Sequence, residues 1–224
     1  MNLLQATFAW LGDAAHYQGV DGVPHRLVEH LWISGAAVAL GAVVALPVAV
    51  WLGHARRFTR LGAAVVSLSN ASRAVPVFAV LVLLAATPVG FGNRATVLAL
   101  VLFAVPPLLT NTFVGVRGVD ADVVEAARGN GMSGLQVLCR VELPLALPLI
   151  AAGFRTSAVQ VVATATLAAY VGGGGLGRFI ADGFGQADPA QTAAGGVLVA
   201  ALAVAVEGGL ALVQRSLSRG PRGV

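Results

Sequence analysis

The chain has no lysine: its 14 basic residues are all arginine, set against 10 acidic ones in 224 residues. Charged residues of all kinds amount to 11%, about half the share found in soluble domains. A chain of this length cannot cover a water-facing surface with so few charges, so a soluble globular protein is excluded. The net charge of +4 is small, and no basic stripe accompanies it, which argues against nucleic acid as a partner. One cysteine, Cys139, excludes an intrachain disulfide and any cysteine-based metal cluster. Four histidines, His16, His25, His30 and His54, are scattered without ligand spacing, so no metal site is expected. No Ser-His-Asp set or carboxylate pair shares one element, and neither an enzyme active site nor a cofactor is expected. The opening residues MNLLQATFAWLGD lack a basic stretch and a small-residue cleavage site, so they do not read as a signal peptide.

What the chain does have is apolar length. Hydrophobic residues make up 57% and the mean hydropathy is +0.83. A helix needs about 20 apolar residues to cross a bilayer core of about 30 Å. Runs of that kind cover residues 31–53, 61–90, 95–116, 143–171 and 191–214. The expected fold is therefore an all-α polytopic membrane protein of five spans. Residues 1–30 are expected as an outer-face segment, 31–214 as the membrane domain and 215–224 as a cytoplasmic tail. A sixth span would require splitting 61–90 at Asn70–Arg73, and the unsplit run is preferred.

Between the third and fourth runs lies a polar, glycine-broken segment, EAARGNGMSGLQVLCRVELP, from Glu125 to Pro144. Asp122 and Glu125 have capping-box spacing for a helix beginning near Val123, with Asp120 adding to the negative charge at that end. Gly129-Asn130-Gly131 should break this helix, because these residues tolerate left-handed backbone angles. Ser133 and Gln136 form a second capping box ahead of Leu135, Val137, Leu138 and Val141, and Pro144 suits the start of the next membrane helix. The product is a helix-turn-helix elbow over residues 120–142. The small residues Ala126 and Ala127 on its first arm would let a partner approach closely. The alternative is an amphipathic connector lying on the membrane.

The spacing of this segment, EAA, three residues, Gly131, nine residues, Val141, one residue, then Leu143-Pro144, resembles the signature loop of ABC-transporter import permeases. Val141 in place of the commoner Ile is the one departure. The resemblance extends to Pro106–Thr112 at the end of the third run and to the stretch LPLALPLIAAGFRTSAVQVVATATLAAYVGGGGLGRFIADGF. The latter is similar to permeases for glycine betaine, carnitine and choline, with the methionine and other amino-acid permeases as the neighbouring branch. Thr110, where relatives often carry Arg, and Tyr170, often a small residue, depart from the pattern. The resemblance implies a type I importer fold in which Glu125, Ala126, Ala127, Gly131 and Pro144 couple to a cytoplasmic ATPase dimer. It also implies a substrate-binding protein outside and a second permease, identical or paralogous. An ion-gradient-driven transporter is the competing class, but no internal repeat is visible and Glu207 is the lone candidate intramembrane carboxylate.

Three charges interrupt the apolar runs. Arg155 and Glu207 fall at similar depth in the inner third and are expected either as an ion pair or on the substrate path. Arg73 lies in Asn70-Ala71-Ser72-Arg73-Ala74-Val75-Pro76, which resembles a segment of the methionine and osmoprotectant permeases. It either lines the path or snorkels to headgroups. Asn70, Arg73, Pro76, Asn111 and Tyr170 are the candidate path residues. Gly172–Gly177 fits G-x-G-x-x-G but follows a membrane helix rather than a strand, so it is expected as a sharp turn and not as a dinucleotide site. With the elbow placed inside, nine arginines (56, 57, 60, 117, 128, 140, 215, 219 and 222) fall inside and three (26, 94 and 178) outside. That bias predicts a multi-pass protein of the bacterial inner membrane with its N-terminus out and its C-terminus in.

Overall fold

The structure is a computed structural model that describes residues 2–56 and 59–218, without the side chains of Thr59, Leu217 and Ser218. Arg57, Arg219 and Arg222 of the arginine count lie outside the described residues, as does most of the 215–224 tail. All regular structure among the described residues is helical. A short helix α1 (Leu3–Gly12) precedes the long first span, α2 (Val23–His54). The second apolar run forms α3 (Thr59–Ala71) and α4 (Val77–Ala85), and the third forms α5 (Asn93–Arg117). The elbow comprises α6 (Ala121–Gly129) and α7 (Gly134–Val137), and α7 runs on into α8 (Leu143–Thr164). Last come α9 (Gly177–Gly185) and α10 (Pro189–Ser218).

Among the described residues, four helices are long and apolar enough to cross a membrane, and the α3–α4 pair makes five if counted as one bent span. The expectation of an unbroken second span is corrected. Residues 60–74 and 77–85 meet at 81°. Pro76 explains the break: it has no N–H to continue the helix and drives Val75 into extended backbone, ψ 125°. The first span also begins eight residues earlier than the apolar run, because Gly22 and Pro24 start a helix that runs through the polar residues His25, Arg26, Glu29 and His30.

The core is built on small residues. A Cβ at Gly41 would lie 2.8 Å from Ala104 Cβ, and one at Gly153 would lie 2.9 Å from Asn111 Cβ. These positions let α2 and α8 close on α5, the most buried of the long helices. Lipid gives helices little hydrophobic reason to associate, so close backbone packing of this kind holds a membrane bundle together. Ser157 Oγ adds a buried hydrogen bond to the Ala104 carbonyl, 3.0 Å. α10 buries little of itself within the chain and packs on α8 and α9. α1 packs against α9 and α10, where Trp10, Phe179, Ala194 and Val199 form a separate cluster.

Candidate coupling and translocation sites

The elbow organises itself from local chemistry. Asp120 caps α6 by accepting the Asp122 N–H at 2.9 Å, so the cap sits two residues earlier than the expected Asp122–Glu125 box. The second arm has the predicted capping box: Ser133 Oγ accepts from Gln136 N and Gln136 Oε1 accepts from Ser133 N. Of the three turn residues, Gly131 alone adopts a left-handed backbone, φ +80°, while α6 runs through Gly129 and Asn130 closes it. Val119, Val124 and Val137 form a small buried core under the turn, with Ala127 and Met132 against it.

What this core leaves outward is a presented surface. Glu125, Ala126 and Gly131 are exposed, and a Cβ at Gly131 would meet nothing within 4 Å. Leu135 is 71% exposed and Val123 is also exposed. Apolar side chains left open on this capped, folded element suit either a partner or the membrane surface. Pro144 is exposed in the first turn of α8, as expected, and α8 continues a helix already under way. It passes continuously from Gly134 to Val171 through a π-helical turn, Leu138–Glu142. Pro144 offers no N–H, and the wider turn, with Leu143 N–H donating to Leu138 O, carries the chain past that gap.

Two contacts fasten the elbow to the first span. The Arg56 guanidinium donates to the Val119 carbonyl before α6, 2.8 Å. His54, the last residue of α2, hydrogen-bonds through Nδ1 with the Glu142 carboxylate, which is completely buried. Both ends of the elbow are thus tied to residues 54–56. Sequence reading missed His54 and Glu142, since an 88-residue separation gives no local signal.

At the opposite end, the glycine turn is held by the first and third spans. Gly174 N–H donates to Asn93 Oδ1 at 2.8 Å, and Gly175 N–H to Glu29 Oε2 at 3.0 Å. Leu176 N–H donates to His30 Nδ1, so His30 Nε2 carries the proton it gives to the Val162 carbonyl, 2.8 Å. His30 is therefore a neutral, fully buried strut. Arg26 orients Glu29 at 2.7 Å and also pairs with Asp21. Arg178 and the turn complete a polar cavity of about 340 Å³. The chain then forms α9 before the last span, an element absent from the sequence reading.

The candidate path residues divide. Asn70 Oδ1 accepts from Thr110 Oγ1 at 3.4 Å, and Arg73 and Pro76 are exposed in the break of the second span. Tyr170 meets Phe78 of α4. Asn111 turns back on its own helix and donates to Pro107 O at 2.8 Å, so the structure does not group it with the others. Arg155 on α8 and Glu207 on α10 come together, Nε to Oε1 3.3 Å, and both remain partly exposed.

Residues 45–219 match the family described as binding-protein-dependent transport system inner membrane component. The chain is 37% identical over 200 residues to the glycine betaine/carnitine/choline transport system permease protein OpuCB of Bacillus subtilis (strain 168), covering 89% of each. It is 40% identical over 190 residues to the carnitine transport permease protein OpuCB of Listeria monocytogenes, covering 85% of each. It is 36% identical over 194 residues to the choline transport system permease protein OpuBB of Bacillus subtilis (strain 168), covering 87% of this chain and 88% of that one. Among solved structures, an inward-facing form of the MetNI methionine ABC transporter superposes with a TM-score of 0.76 at 21% identity, over 88% of this chain and 96% of the other. At that identity the likeness concerns the fold, which is that of an importer permease. Such membership implies a multi-pass membrane protein that works with a substrate-binding protein and an ATPase. The chain belongs to the family of inner-membrane components of binding-protein-dependent transport systems.

Proposed function

We propose that this chain is the permease of an ATP-driven importer for a quaternary-ammonium osmoprotectant such as glycine betaine, carnitine or choline. The observation that carries the solute is its 36–40% identity, over most of its length, to permeases named for those compounds. The sparse fixed charge of the spans suits such a solute. A methylated ammonium has no N–H donors and low charge density, so it needs few counter-charges on its way.

The elbow is the surface on which the ATPase acts, with Glu125, Ala126 and Ala127 on the contacting arm and Gly131 at its turn. Movement of the elbow passes to the first span through Arg56 and the His54–Glu142 contact. Because α2 packs along α5, it travels from there into the bundle. Two permease chains, identical or paralogous, enclose the path, and ATP closes the ATPase dimer to open that path outward. Such a device needs contacts that differ between two states, since these alone convert ATP binding into motion. The partly exposed Arg155–Glu207 pair ties α8 to α10 beside the path. Hydrolysis belongs to the ATPase, and this chain supplies transport alone.

The solute is tested in a host lacking its own osmoprotectant importers and supplied with this permease, its ATPase and its binding protein. Added betaine, carnitine or choline should restore growth at high osmolarity. Saturable methionine uptake without such rescue would move the chain to the amino-acid branch. The orientation is tested with the single native cysteine. Cys139 is exposed on the elbow, so a membrane-impermeant thiol reagent should leave it unlabelled in intact cells. The same reagent should label Asp188→Cys in a Cys139→Ser background, and the reverse pattern would overturn the N-out, C-in arrangement.

A further inference from the structure

Two aromatic side chains far apart in sequence meet beside the break in the second span. The rings of Phe78, in the first turn of α4, and Tyr170, in the 3-10 stretch that ends the fourth span, stand at 90° with centroids 6.0 Å apart. They are 46% and 51% exposed. A compact aromatic pair usually closes over its faces. Trp10 does so in a separate cluster, stacked on His16 at 3.9 Å and edge-on to buried Phe179. Phe78 and Tyr170 instead meet edge to face with much of both rings left open. Perpendicular ring faces are what a quaternary ammonium binds, since its charge is spread over methyl groups and attracted by ring quadrupoles.

The neighbouring backbone suits the other end of a zwitterion. α4 begins at Val77 behind an extended Pro76 and has no side-chain cap, so the N–H groups of its first turn face no partner within the helix. Arg73 lies exposed in the 3-10 turn immediately before it. A carboxylate would find there a guanidinium and the positive end of a helix.

We propose that Phe78 and Tyr170 form a transit site within the permease for the quaternary ammonium group of the solute. Arg73 and the first turn of α4 take the carboxylate of zwitterionic solutes such as glycine betaine. This site rests on the osmoprotectant reading above. Two rings rather than a closed cage make it weak, as a pathway site must be if the solute is to leave again.

The test uses the complete assembly in liposomes, with labelled choline and glycine betaine and the binding protein saturated. Phe78→Leu and Tyr170→Leu should lower the maximal import rate of both solutes, roughly three- to thirty-fold. The half-saturating solute concentration should stay unchanged, because the binding protein sets it, and Tyr170→Phe, which keeps the ring, should recover the rate lost in Tyr170→Leu. Arg73→Gln should slow betaine and spare choline, and an equal loss for both solutes would overturn the carboxylate half. Fluorinated phenylalanines at position 78 keep the shape of the ring while weakening its negative face. They should lower the rate stepwise with fluorine number, which a purely structural role would not do. Unchanged rates in both leucine variants and in the fluorinated series would overturn the transit site while leaving the solute assignment intact. If the wild-type assembly imports no quaternary ammonium, the solute assignment itself fails and this site with it.

Discussion

Two of the molecule's glycine turns, one in the elbow at Gly131 and one at Gly172–Gly177, are built in opposite ways. The elbow caps its own helices with Asp120, Ser133 and Gln136, and leaves the surroundings of Gly131 empty. The other turn donates its N–H groups to Asn93, Glu29 and His30, side chains 81 to 146 residues away. Its glycines lie against other groups: a Cβ at Gly174 would fall 2.4 Å from the Glu29 carboxylate, and one at Gly177 would fall 2.1 Å from the Thr166 carbonyl oxygen. A turn that satisfies itself can be gripped and moved by a partner without losing its shape. A turn satisfied by two other spans is fixed to them and keeps that end of the bundle together. This contrast fits a machine driven from one end and braced at the other.

The contrast breaks most visibly at Gly177. In Gly177→Ala the new methyl meets backbone atoms of Thr166 that have no flexible side chain to yield. Overpacking of this kind costs about 3 kcal/mol, a large share of a typical folding free energy of about 5–15 kcal/mol. The variant should accumulate poorly and melt well below wild type in detergent. A wild-type melting temperature would show that this end can open freely. Gly131→Asp should do the reverse. Its side chain points into open space, and the left-handed backbone costs a non-glycine residue about 1 kcal/mol, so the protein should reach the membrane in wild-type amount. Uptake should nevertheless fall to background, because a side chain and a charge then stand on the proposed docking surface. Uptake at the wild-type rate in that variant would remove the elbow from its role.

The same contrast explains what could be read from the sequence. Capping boxes and glycine breaks act within three or four residues, so the Ser133–Gln136 box and the turn at Gly131 were legible. The Asp120 cap was displaced by two positions, because three nearby acids offer equivalent spacings and packing under Val124 selects among them. Spans were legible as apolar runs. The 81° bend was not, because prolines also lie inside the unbroken helices α2, α5 and α8, and the angle between α3 and α4 is set by packing on α5. His30, His54 and Glu142 were missed for a common reason. Each ties its helix to a distant element through one polar side chain, and one residue carries no periodicity that reveals such a partner. The meeting of Arg155 with Glu207 could be anticipated because charge is scarce in the spans, and two opposite charges at similar depth leave few other arrangements.

The smallest expected effect lies at Ser133, where the self-contained nature of the elbow can be measured. Ser133 Oγ accepts the Gln136 N–H, and its own N–H is taken by Gln136 Oε1 at 2.8 Å. Ser133→Ala removes the first contact, and loss of such a cap costs about 1 kcal/mol. If the elbow is an independent unit, that cost is local. The melting temperature of the whole bundle should then hardly move, while amide exchange at Leu135, Gln136 and Val137 should accelerate about fivefold, the factor about 1 kcal/mol implies. Uptake should fall only modestly, since the fully buried Val137 still pins the second arm beneath the turn. If the bundle melts earlier by as much as the arm loosens, the elbow is cooperative with the spans. The two turns would then differ less than their hydrogen bonds indicate.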